Sequence, residues 1–78
     1  MFVRLEQSFF LKFNQIKEII PYTYEYKSNY LEQYVKKDYL IDLTSLMHKK
    51  KNIIKTKSGY YIMTGFSKKY IEQSILKK

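Results

Sequence analysis

No apolar stretch of this chain runs beyond a few residues before a charged or strongly polar side chain interrupts it. That spacing leaves room for short strands and amphipathic helix faces, and none for a bilayer-spanning helix. The chain has 78 residues and no cysteine, so one small domain must cohere without a disulfide or a Cys-based zinc site. A domain of this size buries only about 60 % of the surface its unfolded chain exposes, and self-association is a common supplement. Nine Tyr and five Phe supply core and interface area at small entropic cost. The apolar positions recur in too regular an order for a disordered tail. The opening Met-Phe-Val-Arg-Leu-Glu lacks the apolar segment of a secretory signal, and the expected location is the cytoplasm.

Residues 2–5 and 9–13 read as two short strands split by Glu6-Gln7-Ser8. Ile16, Ile19 and Ile20 form a third run that Pro21 confines to a sheet edge or a strand end. The alternating residues 22–26 either extend that strand or lead out of it. Ser28 or Asn29 is the expected N-cap of a helix whose stripe is Tyr30, Leu31, Tyr34 and Val35, ending near Lys36-Lys37. Residues 39–41 form a buried-type strand that closes at Asp42, and residues 43–51 are a loop. Residues 53–57 and 60–63 read as a β-hairpin with Ser58-Gly59 as its two-residue turn, which sets Lys57 opposite Tyr60 and Lys55 opposite Ile62. A last helix opens at Ser67, with Phe66 and Ile71 as its hydrophobic staple and Tyr70, Ile71, Ser74 and Ile75 as its inner stripe. The order β-β-β-α-β-β-β-α predicts a single α+β domain, a small sheet with two helices.

Charge is distributed unevenly along this order. Residues 1–42 balance six basic against six acidic side chains, while residues 43–78 carry nine lysines against Glu72 alone, which accounts for the whole net +8. Codon bias in an AT-rich genome raises lysine everywhere and does not sort it by position. A one-sided cationic domain suits a polyanion, with nucleic acid ahead of anionic lipid.

Catalysis has little to stand on. His48 is the only histidine and there is no cysteine, so neither a Cys–His pair nor a multi-His metal site can form within one chain. The acids are scattered singly, Asp42 reads as a turn cap, and two glycines cannot make a phosphate-cradling loop. The expectation is a non-enzymatic protein with no cofactor, no metal, no small-molecule substrate and no membrane attachment.

The candidate binding residues are His48, Lys49, Lys50 and Lys51 in the loop, Lys55 and Lys57 on the next strand, and Lys68 at the start of the last helix. Lysine makes point-charge contacts and lacks the fork that reads guanine edges, so phosphate-dominated, salt-sensitive binding is expected. Tyr60 and Tyr61 beside Lys55 and Lys57 admit a rival, stacking on single-stranded nucleic acid.

Residues 39–44, the basic loop, and the stretch from Ile53 through Tyr61 to the final helix together resemble the RemA/RemB family of bacterial extracellular-matrix regulators. The opening Met-Phe-Val-Arg-Leu is closer to the RemB branch. The resemblance spans nearly the whole chain, with about one extra residue before Lys49. It implies a LytTR-like, mostly antiparallel fold that assembles into a ring of identical subunits. It also implies a regulator that binds double-stranded DNA at promoters of biofilm-matrix genes. The family's arginine-rich DNA loop falls on His48, Lys49, Lys50 and Lys51, and a further family arginine falls on Asn14 or Gln15. The other expectation is a structural or adaptor ring that binds proteins without DNA.

Overall fold

A computed structural model describes residues 2–44 and 49–76, with side chains placed through residue 73. Strands β1 (Phe2–Arg4) and β2 (Phe10–Lys12) pair antiparallel as a separate two-stranded sheet. The main sheet has four strands in the order β3-β5-β6-β4, from β3 (Ile16–Pro21), β4 (Leu40–Asp42), β5 (Asn52–Thr56) and β6 (Tyr61–Thr64). Strands β3 and β6 both pair antiparallel with β5, while β4 runs parallel to β6, so the sheet is mixed. Pro21 ends an edge strand, where its missing N–H costs no ladder bond. Among the described residues no helix is long and apolar enough to cross a membrane.

The first helical segment joins α1 (Tyr24–Tyr26) to α2 (Glu32–Tyr34) through a wide turn over Lys27–Leu31. It begins earlier than Ser28 or Asn29. Thr23 is extended, and its hydroxyl accepts the Tyr26 N–H at 3.0 Å, so Thr23 caps the helix and residues 22–26 extend no strand. The wide turn adds a residue to the helical period, which sets Leu31 five places after Tyr26 on the inner face. Leu31 and Val35 therefore point inward, whereas Tyr30 and Tyr34 of the expected stripe lie outside, 40 % and 74 % exposed.

The main sheet is covered on both faces. Leu31, Tyr26 and Val35 of the helical segment pack over Ile53, Tyr61 and Met63 on one face. Val3, Leu5 and Leu11 of the β1–β2 unit and Ile71 of α3 (Lys68–Leu76) pack over Ile54 and Ile62 on the other. Two-sided cover explains why Ile53 and Ile54, adjacent in sequence, are both fully buried. Each such side chain contributes about 1.5–3 kcal/mol.

The β5–β6 hairpin departs from the two-residue turn. Thr56 N–H donates to Tyr60 O at 2.9 Å, so Lys57, Ser58 and Gly59 form a three-residue loop, with Gly59 at φ +94°. This is the type I turn plus a left-handed residue that three-residue hairpins favour. The register moves by one, and Lys55 stands opposite Tyr61, not Ile62.

Candidate nucleic-acid interface

The end of the main sheet where β5 begins and β6 finishes carries most of the predicted cations. Lys51 is locked into the ladder: its N–H donates to Thr64 O at 2.9 Å and its carbonyl accepts from Tyr22 N–H at 3.0 Å. Its side chain is exposed, as is that of Lys49. Asn52, paired with Thr64, sends its side-chain amide to Phe66 O at 2.9 Å, which ties the start of α3 to the same end. Ser67 caps α3, accepting the Tyr70 N–H on its hydroxyl at 3.1 Å, and Lys68 and Lys69 follow, both exposed. Phe66 stacks on Tyr70, with ring centroids 4.5 Å apart, and packs with the cluster that contains Ile71. The Ser74 and Ile75 side chains, and Lys77 and Lys78, lie outside the described residues.

A carboxylate clamp holds this end in place. Glu6 accepts from the Thr64 hydroxyl and from the Gly65 N–H, both at 2.6 Å, joining the β1–β2 connection to the turn that leads into α3. Its neighbours Gln7 and Ser8 adopt φ of 58° and 56°, and the Gln7 amide donates to Leu43 O at 3.0 Å.

Lys50 is already engaged. Its ammonium lies 3.3 Å from Asp42, which also accepts from the Thr44 N–H at 2.9 Å and the Thr44 hydroxyl at 2.6 Å. Asp42 thus caps a turn as its position predicts, and it also neutralises one loop lysine, a pairing that no local spacing announces. Partial burial pushes the Asp42 carboxyl up, but the Thr44 hydroxyl and amide and the Lys50 ammonium outweigh it and hold it below its ordinary 3.8.

The other predicted residues go elsewhere. Lys55 is on the helix-covered face, its ammonium 5.6 Å from the centre of the Tyr61 ring. A hydrogen bond to the Tyr61 phenol and the charge of that group hold Lys55 above its ordinary 10.5. Lys57 sits in the hairpin loop at the opposite end of β5, about 20 Å of strand from Lys51 at 3.3 Å per residue. His48 lies outside the described residues. Tyr61 is 6 % exposed beneath the helical segment, while Tyr60 rests on Tyr39, ring centroids 5.0 Å apart, and stays 38 % exposed.

One end of the sheet therefore presents Lys49, Lys51, Lys68 and Lys69 to solvent, with Lys50 held by Asp42, Lys55 turned aside and Lys57 remote. Such a set can hold phosphate oxygens by charge; it offers no fork for base edges. No protein-family model matches this chain, and no curated protein is significantly similar to it.

Proposed function

We propose that this protein is a non-enzymatic, homo-oligomeric DNA-binding regulator of the RemA/RemB type, cytoplasmic and ring-forming, with a LytTR-like fold. It holds duplex DNA by its phosphates at the Lys49–Lys51 end of the main sheet, with Lys68 in support. The observation that carries this reading is the meeting of the loop lysines and the cationic start of α3, chain segments some eighteen residues apart, at one sheet end. Lys49, Lys51 and Lys68, each neutralising one phosphate, give a log–log salt slope of about −2.7 per protomer. Protomers arrayed along a duplex multiply weak sites by avidity. A gel-shift titration across salt tests this with Lys49→Ala/Lys50→Ala/Lys51→Ala, which is expected to abolish duplex binding. Unchanged binding by the triple variant rejects the reading.

A second reading, a structural or adaptor ring that binds proteins, has its own support. An apolar groove of about 330 Å³, lined by Phe9, Leu11, Ile41, Tyr60 and Ile62, lies beside β4, an edge strand of the main sheet. Short apolar edges of this kind accept an added strand. That reading predicts a stable oligomer with no measurable duplex affinity at physiological salt.

A further inference from the structure

The β1–β2 unit buries one face and leaves the other to solvent. Val3 and Leu11 pair across the strands and point into the core. The outward pairs are Phe2 opposite Lys12 and Arg4 opposite Phe10, with Phe2 54 % and Phe10 58 % exposed and both cations exposed. Phe13, just after β2, is 36 % exposed. Each strand-borne ring on this face thus stands directly across from a cation, and the two rings lie on the diagonal of the pairing. The one carboxylate of residues 2–13, Glu6, is turned away to Thr64 and Gly65.

We infer that this outer face is a binding site for single-stranded nucleic acid, whose bases stack on Phe2 and Phe10 while Arg4 and Lys12 hold the intervening phosphates. Three considerations select that occupant. Unpaired bases bring flat π surfaces and a negative charge at every step, which is the complement of rings alternating with cations. A duplex keeps its bases stacked inside and cannot use the rings. A second copy in a ring would meet this face with a different patch of its surface, and the buried centre of such an interface is depleted in lysine, which Lys12 places here. Base stacking and phosphate charge are common to DNA and RNA, so strands of both kinds are expected to bind. The site is separate from the lysines proposed for duplex DNA, and the two stand or fall independently.

Fluorescence anisotropy with labelled oligo(dT) and oligo(U), against a random duplex of equal length, tests it on the full chain. Phe10→Ala is expected to weaken both single strands roughly tenfold and leave duplex affinity unchanged, since base–ring stacking is worth about that much. Phe10→Tyr keeps the ring and is expected to keep the affinity. Arg4→Gln/Lys12→Gln should weaken the strands and flatten their salt dependence by up to about 1.4 in log–log slope. Single-strand binding untouched by Phe10→Ala and by Arg4→Gln/Lys12→Gln overturns the inference. So does loss of that binding only in the Lys49–Lys51 triple variant. Wild-type protein that binds phosphatidylserine vesicles but no strand gives this face to a membrane and overturns it too. A change in light-scattering mass for Phe10→Ala, with no strand binding by the wild type, gives the face to a subunit contact and overturns it likewise.

Discussion

Three side chains fix how the cationic end is built, and each makes a distinct prediction. Ser8 adopts a left-handed backbone at φ 56°, which costs an L-residue about 1 kcal/mol that glycine does not incur. Ser8→Gly is therefore expected to raise the thermal midpoint by a few degrees, the unfolded-state entropy of glycine offsetting part of the gain. Glu6 acts in the opposite sense. Glu6→Ala leaves the fully buried Thr64 hydroxyl without its acceptor and frees the Gly65 N–H, at a cost of about 2–3 kcal/mol, which a urea titration would register as a lower midpoint with unchanged slope. Asp42 governs charge as well as shape. Its carboxyl lies below its ordinary value in the folded chain, so its interactions stabilise the fold above about pH 3.8 and are lost as pH falls through the lower folded value. Asp42→Asn keeps an acceptor for Thr44 and removes the ion pair. Its stability deficit should thus be small, because water screens the pair, and should shrink as melts are taken to lower pH, below the lowered value of the folded carboxyl. At neutral pH the same variant frees Lys50, and the duplex salt slope is expected to steepen to roughly −3.6 per protomer. A slope that stays put means Lys50 takes no part.

At the scale of elements, period-2 and capping signals carried most of the information, and longer-range packing decided the rest. Among the described residues the order of strands and helical segments follows the sequence pattern, as do the Ser67 cap and the edge position of Pro21. The hairpin register was not legible, because Ser58-Gly59 suits a two-residue turn as well as the last two places of a three-residue loop. The choice falls to the Thr56 hydroxyl, which accepts the Tyr60 N–H at 3.0 Å. The first helix departs from its sequence pattern for a different reason. A wide turn breaks the 3.6-residue period, so Tyr30 and Tyr34 match a stripe that the backbone rotates outward. The nine lysines were visible in the chain, but not the carboxylate that engages Lys50 nor the phenol that draws Lys55 aside. These assignments separate the tyrosines energetically. Tyr61, 6 % exposed beneath the helical segment, should cost about 3–5 kcal/mol on truncation to Ala. Tyr34→Ala, at 74 % exposure, should fall within about 0.5 kcal/mol of wild type. Chemical denaturation of the two variants side by side measures both, and a costly Tyr34→Ala would place that ring in a contact between subunits.

For the molecule as a whole, the question is how a net charge of +8 is laid out in space. Lysines from the two ends of β5 cannot act on one short stretch of phosphates if the duplex crosses the sheet end, because Lys57 stands about 20 Å of strand away from Lys51. In that geometry Lys51→Ala should reduce the salt slope by about 0.9 and Lys57→Ala should leave it unchanged. A duplex running lengthwise along the sheet would engage both ends, and the two variants would then lose equal slope. The lengthwise path must also pass Lys55, whose ammonium lies 5.6 Å from the centre of the Tyr61 ring. Lys55→Ala supplies the internal control: neutral in the crossing geometry and costly in the lengthwise one. Measuring the three slopes on the same random duplex decides the path of the DNA without a structure of the complex. A Lys57 loss equal to that of Lys51 would remove the sheet end from its privileged position.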